Sequence, residues 1–225
     1  MNLDDASAVD RVIRARRTLK VLAESPLDVA TDRALVEHVV ASAGWAPVHL
    51  LAARVHRDGA PLPAIVPWRC HLLDAAACGR FRAWLLGNGE PSTMPQLLAA
   101  CSALVLVTWL PDPPSRDDDG ALFEGTRENM EHIAAASAAV QNMLLTATAH
   151  GLGTFWATAL PFRTPESVAY LGIPPREILL GALYLTEPDA ARAPGVETKA
   201  GALRERRGHP REWSRWIDLP DRGFA

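Results

Sequence analysis

One stretch limits what this chain can fold into more than any other: Glu128 to Trp156, ENMEHIAAASAAVQNMLLTATAHGLGTFW. It reads as one long, alanine-rich helix that stops at a glycine and runs into a Gly-x-Gly-Thr-x-Trp turn. Ile133, Val140, Met143, Leu144 and Leu145 supply its apolar positions, and small side chains cover most of the rest. Neighbours can therefore approach its axis from several sides, which suits a central helix better than a surface one. His150 in the last turn complements the macrodipole, and Gly151 fits a left-handed cap.

The remaining elements fall around that helix. Val9 to Arg17 has helical character and a basic end, broken by Pro26. Asp32 or Thr31 can cap a helix from about 32 to 43 that ends at Gly44. Val48 to Pro67 is a proline-punctuated loop. Trp68 to Leu73 alternates as a strand does, and Asp74 to Leu86 reads as a helix closed by Gly87-Asn88-Gly89. A short helix over Met94 to Cys101 precedes Leu104 to Trp109, an apolar run of central-strand length. Pro111 to Gly120 is a solvated loop whose three adjacent aspartates cannot all face one ion. After the long helix, Thr164-Pro165-Glu166 opens a short helix. Ile178 to Thr186 is a second central strand, with Gly181 marking a close backbone approach. The tail is rich in Arg, Gly and Pro. Two central strands joined by a long helix predict a mixed sheet with helices on both faces, an α+β fold in a single domain.

Composition removes several function classes. The net charge of −3 offers no global field for nucleic acid. No run of about 18 apolar residues is present, so no membrane span is expected. Three cysteines without metal-ligand spacing suit a reducing cytoplasm, and no metal site is expected. Neither a Walker nor a Rossmann glycine loop is present, because Gly151-x-Gly153 follows a helix and not a strand. No catalytic triad or side-chain general acid stands out, so any chemistry belongs to a cofactor.

Four segments could bind one. Arg16-Arg17-Thr18-Leu19-Lys20 sets three cations and a hydroxyl within five residues, able to grip a phosphate. The same run also reads as a basic helix end answering the dipole. His49 follows Ala46-Pro47 at a helix exit. The turn from Gly153 through Thr154, Phe155 and Trp156 to Ala157 could aim backbone N–H groups and an aromatic at a flat ring. Arg204-Glu205-Arg206-Arg207 is a second basic run. Two basic clusters with an aromatic turn would make a pocket for a phosphate and a ring.

These motifs together resemble the nitroreductase family of FMN-dependent oxidoreductases, from about Val12 to Ile217. Arg16-Arg17-Thr18-x-Lys20 is similar to its N-terminal Arg-x-Ser/Thr-x-Arg/Lys, and Ala46-Pro47 with Pro67-Trp68-Arg69 to its A-P-S…Q-P-W segment. Ala135 to Trp156 is the most specific match, and Leu171-Gly172-Ile173-Pro174 with the Gly181-Ala182-Leu183 strand completes it. Ala46-Pro47-Val48-His49 is closer to a short-chain branch with A-P-x-H. The resemblance implies a nitroreductase-like fold, an intertwined homodimer with the long helix at its interface, and FMN between subunits. It places Arg16 and Thr18 at the phosphate or ribityl chain, Lys20 nearer the ring's pyrimidine edge, and His49 on the flavin, with Arg17 beside them as a further candidate cofactor ligand. Gly153, Thr154, Trp156 and Ala157 would lie over the ring, with Arg206 or Arg207 as a second phosphate ligand.

The implied activity is a ping-pong transfer of hydride from NAD(P)H through flavin to a nitroaromatic, quinone or activated alkene. The chain departs from the family in a stretched loop at about 48–66 and in Val66 standing where the family has glutamine. A C-terminal arm starts at about 190. The departures leave open a flavin-free relative that binds small molecules or partners, or a flavin enzyme with divergent chemistry.

Overall fold

The computed structural model describes residues 3–112 and 123–217. From residue 113 onward, the expected aspartate loop lies outside the described residues. The helices are α1 (Leu3–Ala15), α2 (Arg33–Ala41), α3 (Ala75–Gly87), α4 (Met94–Ala100), α5 (Arg127–Ala149) and α6 (Pro165–Leu171). The strands are β1 (Leu19–Ala23), β2 (Trp68–Asp74), β3 (Ala103–Trp109), β4 (Gly153–Ala157), β5 (Ile178–Thr186) and β6 (Val196–Ala200).

Local chemistry sets the boundaries. Side chains of Asp32, Asp74, Thr126 and Thr164 accept from the backbone N–H groups of Leu35, Ala77, Asn129 and Ser167, capping α2, α3, α5 and α6. Asp32 is thus the cap of α2, while the Thr31 hydroxyl bridges Ser102 O and Ala75 N. Helix α1 starts earlier than Val9, because Asp4 and Asp5 favour a helix N-terminus. Gly151, at φ 81°, ends α5 as expected.

Four strands form one sheet in the order β2-β3-β5-β4, every ladder antiparallel, and β1 and β6 pair as a separate antiparallel two-stranded unit. A parallel bridge between Thr18 and Thr154 joins the two units, and through it the assembly is mixed. In β3, Ala103, Val105, Val107 and Trp109 face a core built with α2 and α5, while Leu104 and Leu106 face one built with α3, α4 and α6. Every residue of β3 is buried, as expected of a strand covered on both faces.

Helix α5 buries Ala135, Ala136, Ala139, Val140, Met143, Leu144 and Ala147, and its alanines let it sit close to the sheet. Its first turns are held by polar groups. The Asn129 side chain accepts from Asp112 N at 2.8 Å and donates to Asp112 O and Glu124 O. His132 Nδ1 donates to Leu110 O at 2.8 Å. The exit of β3 is thereby fastened to the start of α5.

Two readings of local structure change. The Gly-x-Gly-Thr-x-Trp segment is the strand β4, not a turn, because its backbone pairs with β5 from Gly153↔Thr186 to Ala157↔Ala182. Strands β1 and β6, read as helix exit and irregular tail, are stabilised by each other rather than by local pattern.

Candidate anion-binding site

Strand β4 is laddered to β5 along one edge and touches Thr18 on the other through the Thr154 bridge. Beyond that bridge its outer edge opens onto a cavity of about 450 Å³, lined by Arg16, Arg17, Thr18, Phe155 and Trp156 on one side and by Ala200 to Glu205 and Arg207 on the other. A second cavity of about 720 Å³ adjoins it and includes Arg14, Arg17, Gly153, Thr154 and Arg204. Arg17 and Arg204 line both.

The β1–β6 pairing makes this convergence. It brings Gly201 against Thr18, with Gly201 N donating to Thr18 O at 3.0 Å. A Cβ at Gly201 would lie 2.9 Å from Thr18 Cβ, so this close approach requires glycine. The tail then turns at Arg204–Arg206 in a single 3-10 turn. Three residues per turn eclipse positions i and i+3. Arg204 and Arg207 therefore both reach the cavities, while Arg206, exposed, lines neither.

Positive charge predominates here. Arg16, Arg17 and Arg207 enter no salt bridge among the described residues, and Arg204 donates to the backbone carbonyl of Arg14. Burial lowers the pKa of Arg16, and the positive charges of Arg207 and Arg204 lower it further. Arg16 is partly buried while Arg17, Arg204 and Arg207 are exposed, so the cost of crowding falls mainly on Arg16, and an anion joining the cluster would relieve it. One carboxylate, Glu205, shares the lining of the smaller cavity.

The other sequence candidates fall into place around this. Lys20, on β1, holds its ammonium 4.9 Å from the centre of the Phe155 ring. Thr154 and Ala157 are buried in β4, and Gly153 packs at 3.2 Å, by an added Cβ, from Leu19 Cδ2. The indole of Trp156 lies over Gly181, and its Nε1 is buried without a hydrogen-bond partner.

His49 stands apart. Its Nδ1 is 4.0 Å from Glu131 Oε2, near the start of α5. Glu131 is about 25 Å along the helix axis from Thr148, at the cavity end. One chain does not bring His49 to the arginines.

The loop before Pro67 is firmly held. Arg69, buried, donates to Ala64 O, Val66 O and Trp68 O. Val66, in the family's glutamine position, packs against the core. The cysteine thiols are not poised as nucleophiles, since burial pushes Cys70 up to about 12, and a hydrogen bond with Cys78 together with burial raises Cys101 well above the ordinary range.

The sequence did not point to Arg14, and it placed Phe155 and Arg204 within candidate segments without giving either a role of its own. For Arg204 the signal was available, because the i,i+3 spacing from Arg207 selects it over Arg206 on a tight turn. For Phe155 none was, because a β4 side chain takes its neighbours from β1, far away in sequence.

A two-faced sheet, a buried alanine-rich helix and a cation-lined cleft at a strand edge define an α+β protein with a positively charged cleft beside exposed backbone. The chain belongs to the nitroreductase family, whose profile matches residues 13–185. The fold is similar to that of a nitroreductase-like family protein from Bacillus cereus, with TM-score 0.63 and 21% identity over 94% of this chain and 96% of that one. It is also similar to a protein described as a nitroreductase, in complex with FMN, from Desulfovibrio desulfuricans, with TM-score 0.59 and 19% identity over 94% and 98% of the two chains. The NADPH:FMN oxidoreductase from Vibrio harveyi, complexed with NAD+, aligns with TM-score 0.53 and 14% identity over 81% and 69%.

Proposed function

We propose that the protein holds FMN in this cleft and passes hydride from NAD(P)H to a small acceptor such as a nitroaromatic, a quinone or an activated alkene. The observation that carries the reading is the set of converging arginines, Arg16, Arg17, Arg204 and Arg207, without carboxylate partners among the described residues, at the edge of β4. Their donors match the fork geometry a phosphate monoester accepts. The Thr18 hydroxyl would serve the ribityl chain, and the outer edge of β4 at Phe155 to Ala157 would face the ring. The D. desulfuricans complex with FMN and the V. harveyi oxidoreductase support this choice of ligand.

Bound there, FMN would supply the two-electron chemistry, taking hydride from NAD(P)H and giving it to the acceptor in a ping-pong cycle. The chain's own residues orient the ligand and stabilise charge. Lys20, as a fixed cation by the ring, would favour the negative charge that reduction leaves there.

His49 enters the same site only if a second copy contributes it, and a homodimer built on α5 would do so. Trp45, Trp213 and Trp216, at 87%, 68% and 96% exposure, offer apolar surface for such an interface. The whole described chain serves this one site, with the tail from about 190 as the arm that completes it.

The visible spectrum of the purified protein tests the proposal. A flavin spectrum, on purification or after incubation with FMN, is expected, bleached by NADH or NADPH and restored by a quinone or nitroaromatic. A protein that stays colourless after incubation with FMN overturns it.

A further inference from the structure

The two lysines of the chain, Lys20 and Lys199, stand directly opposite each other in the β1–β6 ladder. Like charges in that position repel. Lys199 is drawn off by Glu197, with Nζ 3.1 Å from Oε1. Lys20 has no carboxylate partner among the described residues. Its ammonium lies instead over the face of Phe155, 4.9 Å from the ring centre, within the range where a cation is attracted to an aromatic face.

That ring is itself fixed. Phe155 stacks on the buried Tyr184, with centroids 5.7 Å apart and planes inclined by 18°. Tyr184 is held in turn by the core formed with α3, α4 and α6. Repulsion from Lys199 on one side and attraction to a core-anchored ring on the other favour one resting place for Lys20, against the ring of Phe155, which itself lines the cavity although Lys20 does not.

We propose that Phe155 is a positioning residue that fixes the Lys20 ammonium at the cofactor cleft and thereby sets the reduction potential of the bound flavin. The inference rests on the FMN reading above. Phe155 acts through Lys20. A long, flexible lysine without it would sample many rotamers and present its charge to the ring only part of the time.

Three variants test it. Phe155→Leu keeps apolar bulk and removes the π face, whereas Phe155→Tyr and Phe155→Trp keep it. With only two lysines, 13Cε-lysine labelling gives one signal for each, and this readout needs no flavin. The wild-type Lys20 ε-CH2 protons should be shifted upfield by the ring, and that shift should vanish in Phe155→Leu and persist in Phe155→Tyr.

The second readout is the midpoint potential of bound FMN. Loss of the ring should weaken the hold on the ammonium roughly two- to fivefold. The potential in Phe155→Leu should then fall by up to about 20 mV for the two-electron couple, with FMN retained and the Tyr or Trp variant restoring it. Equal potentials in the Leu and Tyr variants, or a Lys20 signal that does not respond to Phe155→Leu, would overturn the inference. If no variant or wild-type protein binds FMN, the FMN reading fails by itself, while the lysine spectrum still reports whether Phe155 holds Lys20.

Discussion

Gly181→Ala is the sharpest single test of how β5 positions the cleft. Gly181 follows a bulge in which Leu180 has no opposite on β3, since Val107 pairs with Gly181 and Thr108 with Leu179. A Cβ there would stand 2.0 Å from Trp156 Nε1, 2.6 Å from its Cδ1 and 2.8 Å from Ala157 O. Non-bonded heavy atoms settle near 3.5 Å, so the indole must withdraw by about 1.5 Å while a backbone carbonyl, which moves less readily, also yields. Overpacking of this kind costs about 1–3 kcal/mol.

Replacing glycine returns about 0.4–1 kcal/mol through the unfolded chain, which is smaller. A net loss of about 1–2 kcal/mol lowers the melting temperature of a chain this size by about 2–8 °C. Calorimetry on the flavin-free protein reads it. A double-mutant cycle assigns the cause, because in a Trp156→Leu background most of the penalty should disappear, leaving the part due to Ala157 O. A melting temperature equal to or above wild type, or a penalty identical in both backgrounds, would refute the packing argument.

Arg16→Ala should weaken FMN binding roughly ten- to hundredfold, the range for a charge-assisted phosphate contact, while the flavin-free protein melts no lower than wild type because its repulsion with Arg207 and Arg204 is relieved; equilibrium dialysis and a thermal melt check both signs. His56 is buried, with Nε2 donating to Pro111 O. Burial depresses its pKa below 6.5, and Arg69 and Arg176 push the same way against Pro111 O and Asp112. The neutral form is the one that folds, so its contribution is complete above 6.5 and is lost as pH falls through the lower folded value. Urea unfolding at pH 7.5 and 5.5 should therefore show less acid destabilisation in His56→Gln than in wild type. Asn129→Leu strands Asp112 N, Asp112 O and Glu124 O and should cost about 2–3 kcal/mol in urea unfolding, without altering FMN affinity beyond that expected of a less stable fold. Gly201→Ala presses on Thr18 at 2.9 Å and should loosen β6, seen as faster proteolysis of the tail and weaker FMN retention although no phosphate ligand has changed.

The parts of the fold legible in the sequence were those whose pattern is local. Helix α5 announced itself by length and alanine content, β3 and β5 by unbroken apolar runs, and α2, α3 and α6 by Asp32, Asp74 and Thr164 at their starts. Gly181 was legible too, because an isolated glycine in an apolar strand has few other uses. Strands β1 and β6 were not. LKVLA is brief and VETKA is nearly all exposed, so neither carries an alternation that identifies a strand, and each exists as the other's partner. Strand β4 was hidden by its glycines, which suggest a turn until β5 is there to pair with it.

The site inherits this division. Arg16 to Lys20 and Arg204 to Arg207 were visible as basic runs, but which arginines converge depends on β1–β6 register and on the pitch of one 3-10 turn. The same dependence ties ligand to fold. Arg204 and Arg207 reach Arg16 and Arg17 only while the tail is paired to β1, so an anion bound among them must stabilise that pairing by the amount of its own binding energy. At a ligand concentration 100-fold above Kd that amounts to about 2.7 kcal/mol, a large fraction of what an exposed two-stranded ribbon could supply alone. On the proposed function, pairing of the arm and filling of the cleft would be linked: the repulsion that Arg207 and Arg204 exert on Arg16 would oppose the pairing, and a bound anion's negative charge would offset it.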